Sequence, residues 1–387
     1  MTSLLLLALA IPTAEPAAAL KSGKLADPNF FPIAVWLQSP NNAAKYKAAG
    51  INTFVGLWRG PTEEQLAEFK KQGLVVVCSQ NAVGREHLND PTILAWMHGD
   101  EPDNAQAIRG GKGYGPPIEP AKIIADYQRI KAADPSRPVL LNLGQGVAWD
   151  NYIGRGVRRN HPEDYAEYVK GSDIASFDIY PACHDSKEVA GKLWFVPDGV
   201  SRLRKWAGDS RLVWNCIETT HISNENAKAT PQQVKAEVWM SLVRGSKGII
   251  YFCHEFKPKS IEAGLLADGE MVKELTAVNT LIQELAPVLN SSDSPGLVTI
   301  ESARPEVPVE AAVKKHNNNL YIFAVSMRGE ETTATFKLAQ SSNKGALKPE
   351  PAKVKVLGED RSVDIAGGLI RDTFGPWAVH LYQIPQP

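Results

Sequence analysis

Between residues 31 and 290 the chain alternates short, nearly continuous apolar runs with longer amphipathic stretches, and this alternation leaves few folds open. The runs cover 31–37, 51–58, 74–78, 93–97, 139–143, 174–180, 212–217 and 248–253. Valine- and isoleucine-rich runs of this length, separated by helical patterns, are the mark of parallel strands covered on both faces. The helices between them carry their own punctuation. Thr62 and Gln65 are spaced as a capping box, with Gly73 as the stop. Residues 120–133 place Ile123, Ile124, Tyr127 and Ile130 on one face, and Thr230-Pro231 sets an N-cap before a proline at the first helical position. A last long helix is expected over 270–289.

Eight strand–helix units in this length predict an α/β fold, a (β/α)8 TIM barrel over residues 28–290. The rival is a doubly wound open sheet. It would show a glycine fingerprint after the first strand, whereas this strand leaves through Trp36-Leu37-Gln38-Ser39-Pro40. Past residue 296 the period changes to alternating or β-branched segments at 297–300, 310–315, 320–325, 332–338, 353–357 and 377–384. Residues 296–387 therefore read as an antiparallel β-sandwich domain.

The charge balance excludes several partners. With 42 basic and 43 acidic residues and a net charge of −1, no field attracts nucleic acid or an anionic membrane. Residues 1–20 hold an apolar run followed by small residues, the pattern of an export signal, although a positive leading segment is missing and a disordered arm is the bland alternative. A secreted or periplasmic location follows as an expectation. The run is too short to span a bilayer. Cys78, Cys183, Cys216 and Cys253 have no metal-ligand spacing; they read as buried thiols, with a Cys216–Cys253 bridge between neighbouring strands left open. No cofactor or metal is implied.

In such a barrel, chemistry belongs at the C-terminal ends of the strands. The residues closing the runs are Trp36 and Gln38, Trp58 and Arg59, Gln80 and Asn81, Asp100 and Glu101, Asn142 and Gln145, Asp178 and Tyr180, Glu218, and His254 and Glu255. Ionised groups at the ends of buried strands need a partner or a task. Glu101 closes the fourth run and Glu218 the seventh, so the two carboxylates are placed to flank a bond over the barrel mouth. That is the arrangement of glycoside hydrolysis, one acid donating a proton and one carboxylate attacking. The competing reading makes each glutamate a helix cap or a partner of Arg59.

These positions resemble the glycoside hydrolases of the clan A (β/α)8-barrel superfamily. The resemblance implies Glu101 as acid/base and Glu218 as nucleophile of a retaining enzyme cleaving β-glycosidic bonds in oligo- or polysaccharides. Phe177-Asp178-Ile179-Tyr180-Pro181 is similar to the strand-six ending of several members, where the tyrosine reaches toward the nucleophile. One departure stands out: Asp100 occupies the place where that superfamily usually has an asparagine donating to the sugar 2-hydroxyl.

Aromatic residues at the same end suit stacking on pyranose rings. Trp36 and Trp58 end strands, while Trp149, Trp194 and Tyr114 fall in long loops; with Asp100, Asp178, Tyr180 and His254 they complete the expected substrate-binding set. The glycine-rich stretch 110–117 lacks the context of a phosphate loop and reads as a flap. Two alternatives remain: a barrel that binds carbohydrate without cleaving it, and a metal-dependent hydrolase built on His98, His254 and Asp178.

Overall fold

The computed structural model describes residue 20 and residues 23–339 and 352–386. Apart from Leu20, which packs in the inner cluster of the barrel, the expected export segment lies outside the described residues.

The parallel strands are β1 (Ile33–Trp36), β2 (Thr53–Val55), β3 (Val75–Cys78), β4 (Ile93–Met97), β5 (Val139–Leu143), β6 (Ile174–Phe177), β7 (Leu212–Val213), β8 (Asn215–Glu218) and β9 (Ile249–Phe252). Eight runs become nine strands because the seventh is divided. β7 pairs with β6 and β8 pairs with β9, and the ladder changes hands at Trp214. The Trp214 N–H still bonds Ala175 O, while the Asn215 N–H bonds Gly248 O. Together with the β1–β9 pairing, this hand-over closes the barrel.

Alternation along each strand sorts side chains into two layers. Ala34, Trp36, Val55, Val77, Leu140, Trp214 and Ile250 fill the lumen. Val35, Phe54, Val76, Leu141 and Tyr251 face the helices. Those helices are α1 (Ala43–Ala48), α2 (Glu63–Gln72), α3 (Ala82–Glu86), α4 (Pro120–Ala133), α5 (Tyr165–Tyr168), α6 (Phe195–Ala207), α7 (Pro231–Val243), α8 (Gly264–Ala267), α9 (Gly269–Glu284) and α10 (Ala286–Leu289). The expected capping box forms, Thr62 with Gln65, the expected N-cap Thr230 completes a second box with Gln233, and Gly73 takes the left-handed conformation that ends α2. Leu66 and Phe69 then bury against the sheet, each contributing about 1.5–3 kcal/mol. The last helix expected over 270–289 is instead two, α9 and α10. They break at Leu285, two residues before Pro287, which has no N–H for a continuous helix.

The open disulfide is resolved against a bridge: all four cysteines are free and buried. Cys216 points into the lumen, whereas Cys253 packs in the helix-side layer. Their sulfurs face opposite sides of the sheet.

The antiparallel segments are β10 (Val298–Ser302), β11 (Val309–His316), β12 (Asn319–Ser326), β13 (Thr332–Leu338), β14 (Ala352–Leu357), β15 (Arg361–Ala366), β16 (Leu369–Phe374) and β17 (Val379–Pro385). They form one sheet in the order β10-β13-β16-β15-β14-β17-β12-β11, curled so that its edge strands approach and a core around Ile322, Phe336, Val356 and Tyr382 is enclosed. Its other face docks on the barrel helices, where Phe323 meets Trp239 with ring centroids 5.5 Å apart and Arg244 pairs with Glu310.

Candidate active site

The strand ends gather carboxylates at the barrel mouth, and the backbone shows how. After β4 the chain turns sharply: Glu101 adopts φ +43°, in the left-handed region uncommon for a side-chain-bearing residue. The turn is held on three sides. The Glu101 N–H donates to Asn142 O at 3.2 Å, and Glu101 O accepts from the Asn104 N–H at 3.1 Å and from Gln106 Nε2 at 3.3 Å. The result is that two successive acids, Asp100 and Glu101, are both presented at the mouth, the first exposed and the second half-buried.

Asp100 sits over the end of β5. Asn142 Nδ2 donates to Asp100 Oδ1 at 2.9 Å, and Asn142 Oδ1 accepts from the Ser176 hydroxyl, so the amide orientation follows from its partners. Glu101 is in hydrogen-bonding contact with Asp178, the acid that follows β6, and Asp178 also contacts the Tyr180 hydroxyl. Burial and then the neighbouring charges of Asp178 and Asp100 push the Glu101 carboxyl far above the ordinary range. Burial also raises Asp178, to about 7, against the lowering effect of its hydrogen bond with Glu101. Asp100 keeps an exposed residue surface, but its carboxyl is enclosed beside Asn142 and the neighbouring acids, and this desolvation raises it too. At neutral pH the cluster therefore tends to retain protons, with the Glu101 and Asp178 carboxyls both raised.

Two further members escape sequence reasoning. Asp103 is fully buried and receives the Gly144 N–H at 2.9 Å and the Tyr165 hydroxyl at 2.8 Å, with the Arg155 guanidinium nearby. It anchors the β4 loop to the β5 loop. Tyr152 approaches Glu101 and Asp178 closely enough for their charges to raise its phenol, after burial as first cause. For Asp103 a signal existed, since it lies two residues past Glu101 in Glu101-Pro102-Asp103; Tyr152 lies in a loop without one.

Glu218 closes β8 as expected, but it is fully buried. Its Oε1 accepts the Ala182 N–H at 2.6 Å beneath the turn Pro181–Cys183. The other neighbour of Glu218 is Glu237 of α7, also fully buried, which finds no donor among the described residues beyond a proton shared with Glu218. Burial pushes Glu218 up to about 7, and Glu237 well above its ordinary range by burial and then by the Glu218 charge. The structure thus sets Glu101 beside Asp178 and Glu218 beside Glu237. Arg59 forms no ion pair with either glutamate among the described residues.

The expected aromatic set divides. Trp36 lines the lumen, and Tyr180, Phe252, His254 and Phe256 form a chain of rings with successive centroids 5.1, 5.3 and 5.8 Å apart. His254 also meets Gln38, and burial lowers its pKa. Trp149 stands edge-on to His184 and donates to Glu188 at 2.7 Å. Trp58 and Tyr114 project into solvent with 70% and 75% of their surfaces exposed, Tyr114 from a small hairpin in which it bridges Ala107. Trp194 is engaged elsewhere: Arg328 of the β-domain lies over its ring at 3.9 Å. The metal-dependent alternative loses a member, because both His98 nitrogens are taken, by Asp126 at 3.0 Å and by Gly171 O at 2.8 Å. A cavity of about 500 Å³ lined by Leu74, Leu88, Pro91 and Arg137 opens at the other end of the barrel, away from the strand C-termini.

No family model and no curated protein matches this chain. Solved structures do match it over nearly its whole length. A GH42 β-galactosidase from G. stearothermophilus is 10% identical with a TM-score of 0.59, covering 92% of this chain and 98% of that one. An α-amylase from Geobacillus thermoleovorans in complex with acarbose is 11% identical, TM-score 0.57, with 93% and 99% covered. AmyP in complex with maltose is 11% identical, TM-score 0.55, with 94% and 98% covered. At these identities the likeness is one of architecture: the chain shares the fold of these glycoside hydrolase structures.

Proposed function

We propose that this chain is a retaining glycoside hydrolase acting on oligo- or polysaccharides, with Glu101 as its acid/base. The observation that carries this reading is the place of Glu101: half-open at the barrel mouth beside Asp178 and Asp100, where burial and those neighbouring carboxylates raise its carboxyl. A loaded proton donor beside ionisable acids is what cleavage of an acetal bond requires. Carbohydrate as the occupant is supported by the maltose and acarbose held by proteins of this fold.

The finer assignments belong to the same proposal. Cleavage of β-linked sugars by double displacement, with Glu218 as nucleophile, rests on the position of Glu218 at the end of β8, the second half of the seventh apolar run; for its carboxylate to meet a sugar, the Pro181–Cys183 turn that covers it has to lift. Export to the periplasm or medium rests on the apolar run near the start of the chain.

The test is a screen of aryl glycosides and polysaccharides against wild type and Glu101→Gln, reading product anomers by NMR. Loss of about 10²–10⁴-fold in the variant on poor leaving groups, with recovery on dinitrophenyl glycosides that need no acid, is the expected result. Equal rates for the two proteins would remove Glu101 from the mechanism, and binding of sugars without turnover by wild type would leave a carbohydrate-binding barrel.

A further inference from the structure

We propose that the substrate is an acidic polysaccharide, whose carboxylate or sulfate groups are held by exposed arginines and lysines on the loops around the barrel mouth. The proposal rests on the glycosidase reading and adds the chemical class of the chain that the site takes.

The exposed apolar side chains gather at one end of the molecule. Among the described residues, the large hydrophobic side chains left in solvent are Trp58, Ile108, Tyr114, Ile153, Val157 and Phe256. All six lie on loops that leave the C-terminal ends of strands: Trp58 after β2, Ile108 and Tyr114 after β4, Ile153 and Val157 after β5, and Phe256 after β9. Apolar surface concentrated in this way marks a binding face, and here it surrounds the acids of the site.

The charge of these loops departs from that of the chain. The whole sequence is balanced, with 42 basic and 43 acidic residues, yet the segments 56–62, 105–118, 151–162 and 256–261 contain no aspartate or glutamate. Their exposed cations alternate with the apolar side chains. Arg59 adjoins Trp58, Arg109 and Lys112 lie between Ile108 and Tyr114, Arg159 follows Val157, and Lys257 and Lys259 follow Phe256. None of these cations forms an ion pair among the described residues, whereas Arg158 beside them is committed to Asp164 at 2.6 Å. Unpaired cations set among rings suit a ligand that carries both an anion and an apolar face. The acids at the centre do not undo this, because burial raises the Glu101 and Asp178 carboxyls and so reduces the negative charge that an anionic chain meets.

The rings decide in favour of a sugar chain. Tyr180, in contact with Asp178 beside Glu101, begins a line of rings that passes through Phe252 and His254 to Phe256, the last two stacked at an interplanar angle of 14°. Pyranose rings stack on such faces, so a chain cleaved at Glu101 is led outward along the line and meets Lys257 and Lys259 at its end. Across the barrel, the hairpin in which Tyr114 bridges Ala107 carries Arg109 and Lys112 at its tip. β4 and β9 hold the fourth and eighth positions round the barrel and stand on opposite sides of it. An extended chain crossing the mouth therefore reaches cations on both flanks. A lipid surface would touch the same loop tips but would have no use for rings that lead down to the acids.

The experiment measures binding and turnover of polygalacturonate and carrageenan, which carry carboxylate and sulfate, beside their carboxyl-reduced and desulfated counterparts. The full chain should bind at least one charged polymer ~10-fold more tightly than its neutral form, and the arm that does so names the anion. The preference should vanish in about 0.5 M salt. Lys257→Ala/Lys259→Ala and Arg109→Ala/Lys112→Ala should each weaken binding of the charged polymer by about fivefold to tenfold, with the neutral form and the melting temperature unaffected. Equal binding of charged and neutral forms, or indifference to both double variants, would overturn the proposal and leave the glycosidase standing. So would equally tight binding of phosphatidylglycerol vesicles or single-stranded DNA, since the loops would then take any polyanion. If the charge preference holds but no polysaccharide is cleaved, or Glu101→Gln keeps the full rate, the catalytic reading falls and the recognition of acidic chains stands.

Discussion

Glu101 and Asp178, which follow the fourth and sixth strands of the barrel, share a hydrogen bond, so each acid sets the charge state of the other. The Asp178 charge is the largest influence on Glu101 after burial, and it acts upward. Asp178→Asn removes that charge, and the pKa of Glu101 falls. Because the acid form of Glu101 is the active one, the alkaline limb of the kcat/KM profile should move to lower pH in the variant. The shift should be about one unit or more, since two groups in contact interact at least that strongly. A pH–rate series on one aryl glycoside measures it; an alkaline limb that stays in place would mean Glu101 does not titrate there.

The second acid pair lies deeper and touches stability. Glu218 and Glu237 are both raised from 4.5, so the folded protein holds protons that the unfolded chain has released. A raised carboxyl contributes stability that is complete below the unfolded value and is lost as pH climbs through the folded one. For Glu218 that window runs from 4.5 to about 7. In Glu237→Gln the amide donates to Glu218 without a shared proton and carries no competing charge. Thermal melts from about pH 5 to about pH 8 should decline less steeply in the variant, by roughly 1–3 kcal/mol across the range. Parallel curves would show that the pair does not hold its proton in the folded state.

The barrel was legible because each strand announces itself as an apolar run and each covering helix by caps that need only local contacts, as at Thr62 and Thr230. What escaped depends on pairing or on distance through space. The division of the seventh strand at Trp214 arises from hydrogen bonding to two different neighbours, which no local pattern records. The hairpin of β15 and β16 carries many charges on its open face, so its alternation is faint, although Gly367-Gly368 marks its turn with positive φ at both positions. In the site, Glu101, Asp100, Asp178 and Tyr180 stood at strand ends and are brought together. Glu237 could not be paired in advance with Glu218, because it sits inside an ordinary helical stripe between Val234 and Ser241 and only the packing of α7 on β8 makes it a neighbour.

Trp194 offers a check on the aromatic assignments. With Arg328 stacked on it, its substitution should weaken the union of barrel and β-domain rather than sugar binding. Trp194→Ala and Arg328→Ala should each cost about 1 kcal/mol or more in denaturant unfolding, with KM unchanged. A raised KM at unchanged stability in Trp194→Ala would return this residue to the cleft.

Trp58 stands out into solvent at the end of β2, where a large apolar ring gains nothing from the core. As a platform for a sugar unit beyond the cleaved bond, it should matter for long substrates only. Trp58→Ala is expected to raise KM for an oligosaccharide about tenfold, some 1.4 kcal/mol, and to leave a small aryl glycoside untouched. Equal effects on both substrates would place the ring at the reacting sugar instead.

Gly144 tests how closely the acid is positioned. It follows β5 with φ −82°, a conformation that alanine adopts freely, so Gly144→Ala carries no backbone penalty. Its new methyl carbon would stand 2.7 Å from Asn104 Oδ1, closer than such contacts allow, and 3.0 Å from Glu101 Oε1, at the tight edge of those that occur. Something must give way, and the Glu101 carboxylate and the Asn104 amide are the groups within reach. Since a displacement near 1 Å in a catalytic group can reduce turnover by about 10²-fold, kcat/KM should fall by that order while the melting temperature changes little. Activity that survives intact would mean that the Glu101 carboxyl does not work from the position beside Gly144, and that its contact with Asp178 is rearranged when substrate enters.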